Sequence, residues 1–228
     1  MRWTPDDVAR MIDHSLLRPE MTPEDVVRGC AVARKYRTAT VCCTPTDVAL
    51  CTRELAGSGV GVAAVVGFPN GYSTTAAKVF EAERAIADGA TELDMVLHIG
   101  RLKAGDLDYV RADVKAVCDA AHRRGAKVKV ILENCYLDDA QKRAGCEVCE
   151  EAGADWVKTS TGFGKGGVTI EDLKLMRAAV SEKVQVKAAG GVRDLDFALK
   201  VREVGCTRFG ATATEAIMEE ARRRGGGA

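Results

Sequence analysis

Three ionisable residues stand where the surrounding sequence calls for apolar ones: Asp94 in "TELDMVL" (91–97), Lys158 in "DWVKTS" (155–160) and Lys187 in "VQVKAAG" (184–190). An amine is a nucleophile only when neutral, and burial beside a second cation lowers its proton affinity towards working pH. One lysine would then attack a carbonyl while the other tunes it; spacing leaves open which does which. A carboxylate at the same spot, acting through a water, can move the protons that make and collapse a carbinolamine and interconvert imine and enamine. That is the chemistry of a Schiff-base aldolase. The competing reading is a set of buried ion pairs that fills an interior with no chemical role.

The elements that must carry these residues follow one repeating plan. Short β-branched or apolar runs occupy 11–17, 38–43, 61–67, 91–97, 126–132, 155–160, 184–190 and 206–211, and amphipathic stretches with helical spacing lie between them. Helix starts are signalled by Thr22-Pro23-Glu24-Asp25 and Thr169-Ile170-Glu171-Asp172, each an N-cap with an acid three residues on. Gly89, Gly125, Gly153 and Gly205 mark helix-to-strand joints. Strand–helix alternation repeated eight times implies right-handed parallel units, and it fits a (β/α)8 TIM barrel of the α/β class better than an open sheet. An open doubly wound sheet would carry a glycine fingerprint after its first strand, and "MIDHSLLRPEMT" has none.

Strand parity then aims the charges. Trp156 and Lys158 share one face with Val157 opposite; Gln185 and Lys187 oppose Val184 and Val186; Glu92 and Asp94 oppose Leu93 and Met95. The same parity adds Lys127, Lys129 and Glu133 from the fifth strand, with Lys127 early enough to reach solvent at the bottom rim. The valines would face the helices and the charges the barrel interior, at whose C-terminal end such folds keep their active sites. Loops following the sixth, seventh and eighth strands could hold a phosphate there. "TSTGFGKGG" offers Thr159, Ser160, Gly162 and Lys165; "AAGGVRD" offers Gly190 and Gly191; "FGATATEA" offers Gly210 and Thr212 at a helix start. Each alone is as readily a turn or a cap.

Composition bounds the partners. The chain has 228 residues, 46% hydrophobic and 29% charged, with Lys+Arg and Asp+Glu both 33. A formal net charge of zero gives no basic face for nucleic acid. No run approaches the roughly 18–20 apolar residues that cross a bilayer, and the N-terminus has no uninterrupted apolar segment of a secretory signal, so a cytoplasmic protein without membrane partners is expected. One barrel domain is expected over 1–222, with a disordered tail over 223–228, "RRGGGA". Nine cysteines are an odd count and scattered, which suits reduced thiols; Cys146 and Cys149 form one Cys-x-x-Cys inside a helical pattern, without a second pair at zinc spacing. No cofactor is called for. A metal-assisted lyase would have to recruit His14 and His98 with a carboxylate such as Glu133, because His122 is the only other histidine and lies in a polar helix end. No metal site is expected. Monomer and homodimer are both left open.

The stretches "IDHSLLRPEMT", "GFPNGYSTTAAKVFEAERAIADGATELDMVLHIG", "VKVILENCYL", "WVKTSTGFGKGGVT" and "VKAAGGVRD", in this order, resemble the deoxyribose-phosphate aldolase family of class I aldolases. The likeness spans roughly 11–217. It implies a (β/α)8 barrel and reversible cleavage of 2-deoxy-D-ribose 5-phosphate to D-glyceraldehyde 3-phosphate and acetaldehyde, with small aldehydes and sugar phosphates as partners. It also implies that Lys158 forms the Schiff base, that Lys187 is the neighbouring cation and that Asp94 relays protons with water. By the same resemblance Asp13 and Ser15 lie near substrate, and Cys42 matches a second-strand thiol near the site in some relatives; an ordinary turn aspartate and a buried thiol are the plain alternatives.

Departures from the family pattern are equally specific. His98 follows "DMVL" where Asn is usual, Cys43-Thr44 interrupt a common "VCVNP", and Thr212-Ala213 stand where a Ser-Ser pair commonly helps bind phosphate. A hydrogen bond to a charged group is worth about 1.5–3 kcal/mol. Phosphate affinity should therefore fall unless Lys165 compensates. Two further functions are consistent with the sequence: a related Schiff-base aldolase with an unphosphorylated acceptor, and a non-catalytic phosphate-binding barrel.

Overall fold

A computed structural model describes residues 3–225. Eight strands, β1 (Ile12–Leu16), β2 (Thr40–Cys43), β3 (Gly61–Val66), β4 (Glu92–Val96), β5 (Lys127–Ile131), β6 (Trp156–Lys158), β7 (Gln185–Ala188) and β8 (Arg208–Ala211), close in sequence order into one parallel barrel. All eight runs read from the sequence are present. Helices α2 (Pro23–Tyr36), α3 (Val48–Glu54), α4 (Thr75–Ala87), α6 (Leu107–His122), α7 (Asp139–Glu151), α8 (Ile170–Ala179), α9 (Leu195–Glu203) and α10 (Thr214–Gly225) supply the outer ring. Two short helices depart from strict alternation: α1 (Pro5–Ala9) before the barrel and α5 (Ile99–Lys103) between β4 and α6.

Local chemistry accounts for the joints. Thr22 and Asp25 form a reciprocal capping box at the start of α2, and the Thr169 hydroxyl accepts from the Asp172 amide at 3.0 Å. Gly89, in the left-handed region at φ 111°, turns the chain from α4 into β4; a Cβ there would also meet the Thr52 side chain at 2.4 Å. The helix ends on glycine for both reasons. α10 runs on through Arg223 and Arg224 to Gly225, past residue 222 where the barrel domain was expected to end. Arg223 pairs with Glu220 and Arg224 with Asp196, so the arginine run extends a helix. The rest of the expected tail, 226–228, lies outside the described residues.

Two apolar layers form on opposite sides of the strands. Leu93, Met95, Val128, Val130, Val157 and Val186 face the helices and belong to the large outer core. Inside the barrel Cys42, Ala63 and Val65, with Leu17 and Phe68, make one apolar wall. Elsewhere the interior carries most of the buried charges. Register sets Lys158 beside Lys187 and Asp94 beside Lys129, and β1 closes the barrel by pairing Asp13 with Gly210. Among the described residues no helix is long and apolar enough to cross a membrane.

Candidate active site

The interior charges meet at the C-terminal mouth. Asp94 is fully buried and accepts from Lys158 at 2.6 Å, Lys187 at 2.6 Å and Lys129 at 2.8 Å. Lys187 also bonds Asp13, which accepts from Arg208 at 2.7 Å. Below this layer Glu92 joins Lys129 at 2.5 Å and Arg208 at 2.8 Å. The indole of Trp156 lies under the cations, its ring centre 5.7 Å from Lys129 and 5.3 Å from the Arg208 guanidinium.

Electrostatics divides the lysines. Burial lowers the proton affinity of Lys158; Asp94 opposes that, and Lys187 reinforces it. Burial acts on Lys187 too, yet Asp13 and Asp94 outweigh it and hold this ammonium above the ordinary lysine range. Lys129 is likewise raised, with burial offset by Asp94, Asp13 and Glu92. Burial favours the neutral acid at Asp94, but Lys129, Lys158 and Lys187 prevail and keep its carboxyl well below the usual range. Asp13 is depressed in the same way, by Lys187, Lys129 and Arg208 against burial. Lys158 is thus the lysine whose proton is held least firmly.

A cleft of about 420 Å³ opens over this layer. Of the residues expected at the site, Lys158, Lys187, Asp13, Ser15, Cys42, Gly162, Gly190, Gly191, Gly210 and Thr212 line it. Asp94 sits beneath the floor and reaches the cleft through its lysines. Burial first, then the Asp94 charge, pushes the Cys42 thiol up to about 11, so it stands as a neutral wall group.

Three expected residues lie elsewhere. The buried Thr159 hydroxyl both donates to the Ala189 carbonyl and accepts from the Ala189 amide at 3.0 Å, fastening the end of β6 to β7. Ser160 is also buried and does not line the cleft. Lys165 is exposed at the outer turn of its loop, its ammonium 5.4 Å from the Tyr136 ring centre. The loop is pinned just beyond: Val168 donates to the Gly190 carbonyl at 2.9 Å, and a Cβ on Gly167 would lie 1.8 Å from that oxygen. In their place the cleft has Thr161, Phe163, Arg18 and Arg193. Thr161 donates through amide and hydroxyl to Glu133, which holds the left-handed region at φ 57° to reach it. Thr161 stood in the quoted loop; the arginines, in loops after β1 and β7, carried no periodic signal.

The residues considered as metal ligands do not converge. His14 points outward from β1 and bonds Thr214 of α10 at 2.8 Å, His98 caps α5, and Glu133 is taken by Thr161. Among the described residues no group of three or more His, Cys, Asp or Glu is placed to hold a metal ion.

Comparison with known proteins matches this architecture. A family model described as "DeoC/LacD family aldolase" covers residues 8–214. The chain belongs to the DeoC/LacD aldolase family. It is 50% identical over 218 residues to a deoxyribose-phosphate aldolase of Rhodopirellula baltica, covering 96% of this chain and 90% of the relative. A deoxyribose-phosphate aldolase of Thermococcus gammatolerans is also 50% identical over 218 residues, covering 95% and 97%. Among solved DeoC/LacD-like folds, the tetrameric deoxyribose phosphate aldolase of Aeropyrum pernix superposes with a TM-score of 0.89 at 31% identity, covering 95% of this chain and 92% of that one.

Proposed function

We propose that this family member cleaves 2-deoxy-D-ribose 5-phosphate reversibly to D-glyceraldehyde 3-phosphate and acetaldehyde through an imine on Lys158. The observation that carries the reading is a buried lysine at the cleft floor whose only carboxylate contact among the described residues, Asp94, is shared with Lys187 and Lys129. The names of the relatives supply the substrate. A neutral Lys158 Nζ adds to the C1 aldehyde carbon of the open-chain sugar, giving a carbinolamine. Loss of hydroxide as water, with a proton delivered along the Lys187–Asp94 pair and a cleft water, leaves the iminium. Removal of the C3 hydroxyl proton then breaks the C2–C3 bond: C3 becomes the aldehyde of glyceraldehyde 3-phosphate, and the electron pair passes to C2 as an enamine. Protonation at C2 and addition of water release acetaldehyde and restore the amine.

The phosphate reading rests on the rim. Gly190 and Gly191 turn through positive φ at the end of β7, and Arg193, Gly210, Thr212 and Arg18, which lies 3.8 Å from Glu20, line the same cleft. Two guanidiniums there can recognise a phosphate bidentately, which offsets the hydroxyl missing at Ala213. Ser15 and Gly162 also line the cleft and would bound the sugar. The direct test is borohydride reduction during turnover with acetaldehyde or the deoxysugar phosphate, followed by peptide mapping. A reduced adduct on Lys158 is expected; turnover without any adduct there overturns the assignment.

A further inference from the structure

The contacts inside the barrel form one continuous network, and its charge count is informative. Three carboxylates, Asp13, Glu92 and Asp94, meet Lys129, Lys187, Arg208 and Lys158 within 4.0 Å. Three negative charges face four candidate positive ones. In an interior of low dielectric a net charge is costly, so one of the four bases is best left without its proton. The guanidinium cannot give one up. Among the described residues, Lys129 touches all three carboxylates and Lys187 touches two, whereas Lys158 touches Asp94 alone.

We infer that Glu92 and Arg208, neither of which lines the cleft, are positioning residues: they close a balanced set of three carboxylates and three cations and thereby leave Lys158 as the surplus, neutral base. This rests on the reading of Lys158 as the imine lysine and adds a cause for its reactivity beyond the adjacent Lys187. Groups from most of the strands surround Lys158. Facing it are Asp13 from β1, neutral Cys42 from β2, Glu92 and Asp94 from β4, Lys129 from β5, Lys187 from β7 and Arg208 from β8, while β3 presents only Ala63 and Val65. Glu133, beyond the end of β5, has no cation within 4.0 Å among the described residues; Thr161 supplies its hydrogen bonds, and it acts on Lys158 at longer range.

Opposite substitutions give opposite signs. Removing a cation from the lower layer makes a protonated Lys158 tolerable, so Arg208→Gln raises the pH at which Lys158 becomes reactive. Removing a carboxylate worsens the surplus, so Glu92→Gln lowers it. Each shift should be about one pH unit, a factor of about ten in reaction rate below the midpoint. The experiment is the pH dependence of borohydride trapping by acetaldehyde, with the Lys158 adduct quantified by mass spectrometry and native fold verified by circular dichroism. Arg208→Lys should keep the parent midpoint, and the Glu92→Gln/Arg208→Gln pair should return close to it. If Arg208→Gln does not fold, Lys129→Met removes the same unit of charge from another strand and must raise the midpoint likewise. Absence of any Lys158 adduct in the parent would sink the imine reading itself. A parent adduct with midpoints that do not move, or that move the same way for cation and carboxylate variants, overturns the inference while leaving that reading intact.

Discussion

Two groups of buried charges sit about the same barrel and answer to different rules. Between α4 and α6, Lys78 is fully buried and bonds Asp113 at 2.6 Å, and the Thr75 hydroxyl donates to the same carboxylate at 2.8 Å. One base meets one acid, and the pair lies away from the cleft. Inside the barrel the bases outnumber the acids, and the least supported base opens to the cleft. Burial alone therefore does not mark a reactive lysine; burial with an odd count and an open side does. Both lysines are held below their ordinary proton affinity, with burial the leading cause in each. Only the count of partners and the exposure of the nitrogen separate them.

Lysine-to-methionine substitution should split the two regions most sharply. Lys158→Met is expected to abolish borohydride trapping and to lower kcat by at least about 10³-fold, yet leave the melting temperature almost unchanged, because Asp94 keeps Lys129 and Lys187. Lys78→Met should do the reverse. It strands Asp113 without its counter-ion and should cost about 3–5 kcal/mol in denaturant unfolding, while activity per folded molecule stays at the parent level. Equal stability losses in both variants would erase the distinction. His14 supplies a third, intermediate case of a buried base with a neutral partner. Burial lowers it to about 4, below its unfolded value of about 6.5, so the unfolded chain binds the extra proton between those values. Stability should be fully present above pH 6.5 and fall by roughly 3 kcal/mol as pH drops to about 4; His14→Gln should flatten that slope in urea titrations at stepped pH.

Smaller effects test the cleft rim against the outer loop. Arg193→Ala should raise KM for the phosphorylated substrate about tenfold, in line with loss of a charged hydrogen bond, with little change for an unphosphorylated aldehyde. Lys165→Ala should leave both KM values within about twofold, since its ammonium rests over Tyr136. Steady-state kinetics on the two substrates decides between them.

What the sequence made legible follows from regularity. Strand parity needs only an extended backbone, so it aimed Asp94, Lys158 and Lys187 correctly, and four glycine joints marked the starts of β4, β5, β6 and β8. Parity ends with the strand. β6 stops at Lys158, so the directions of Thr159, Ser160 and Lys165 depended on the pinning of their loop at Gly167 and Gly190, a contact between distant segments. Arg18 and Arg193 were hidden for the same reason. Glu92 and Arg208 were readable as inward residues at most; their link to Lys158 runs through Lys129 and Asp13 on other strands. The arginines near the C-terminus looked like a tail because their acidic partners sit one helical turn away or on α9.

The bond between Asp13 on β1 and Arg208 on β8 joins residues 195 apart in sequence, across the seam where the first and last strands meet. Until that seam forms, Lys158 is an ordinary solvated, protonated amine. The environment that lowers the proton affinity of Lys158 therefore depends on contacts between the two ends of the barrel sequence and not on the local segment that carries the lysine.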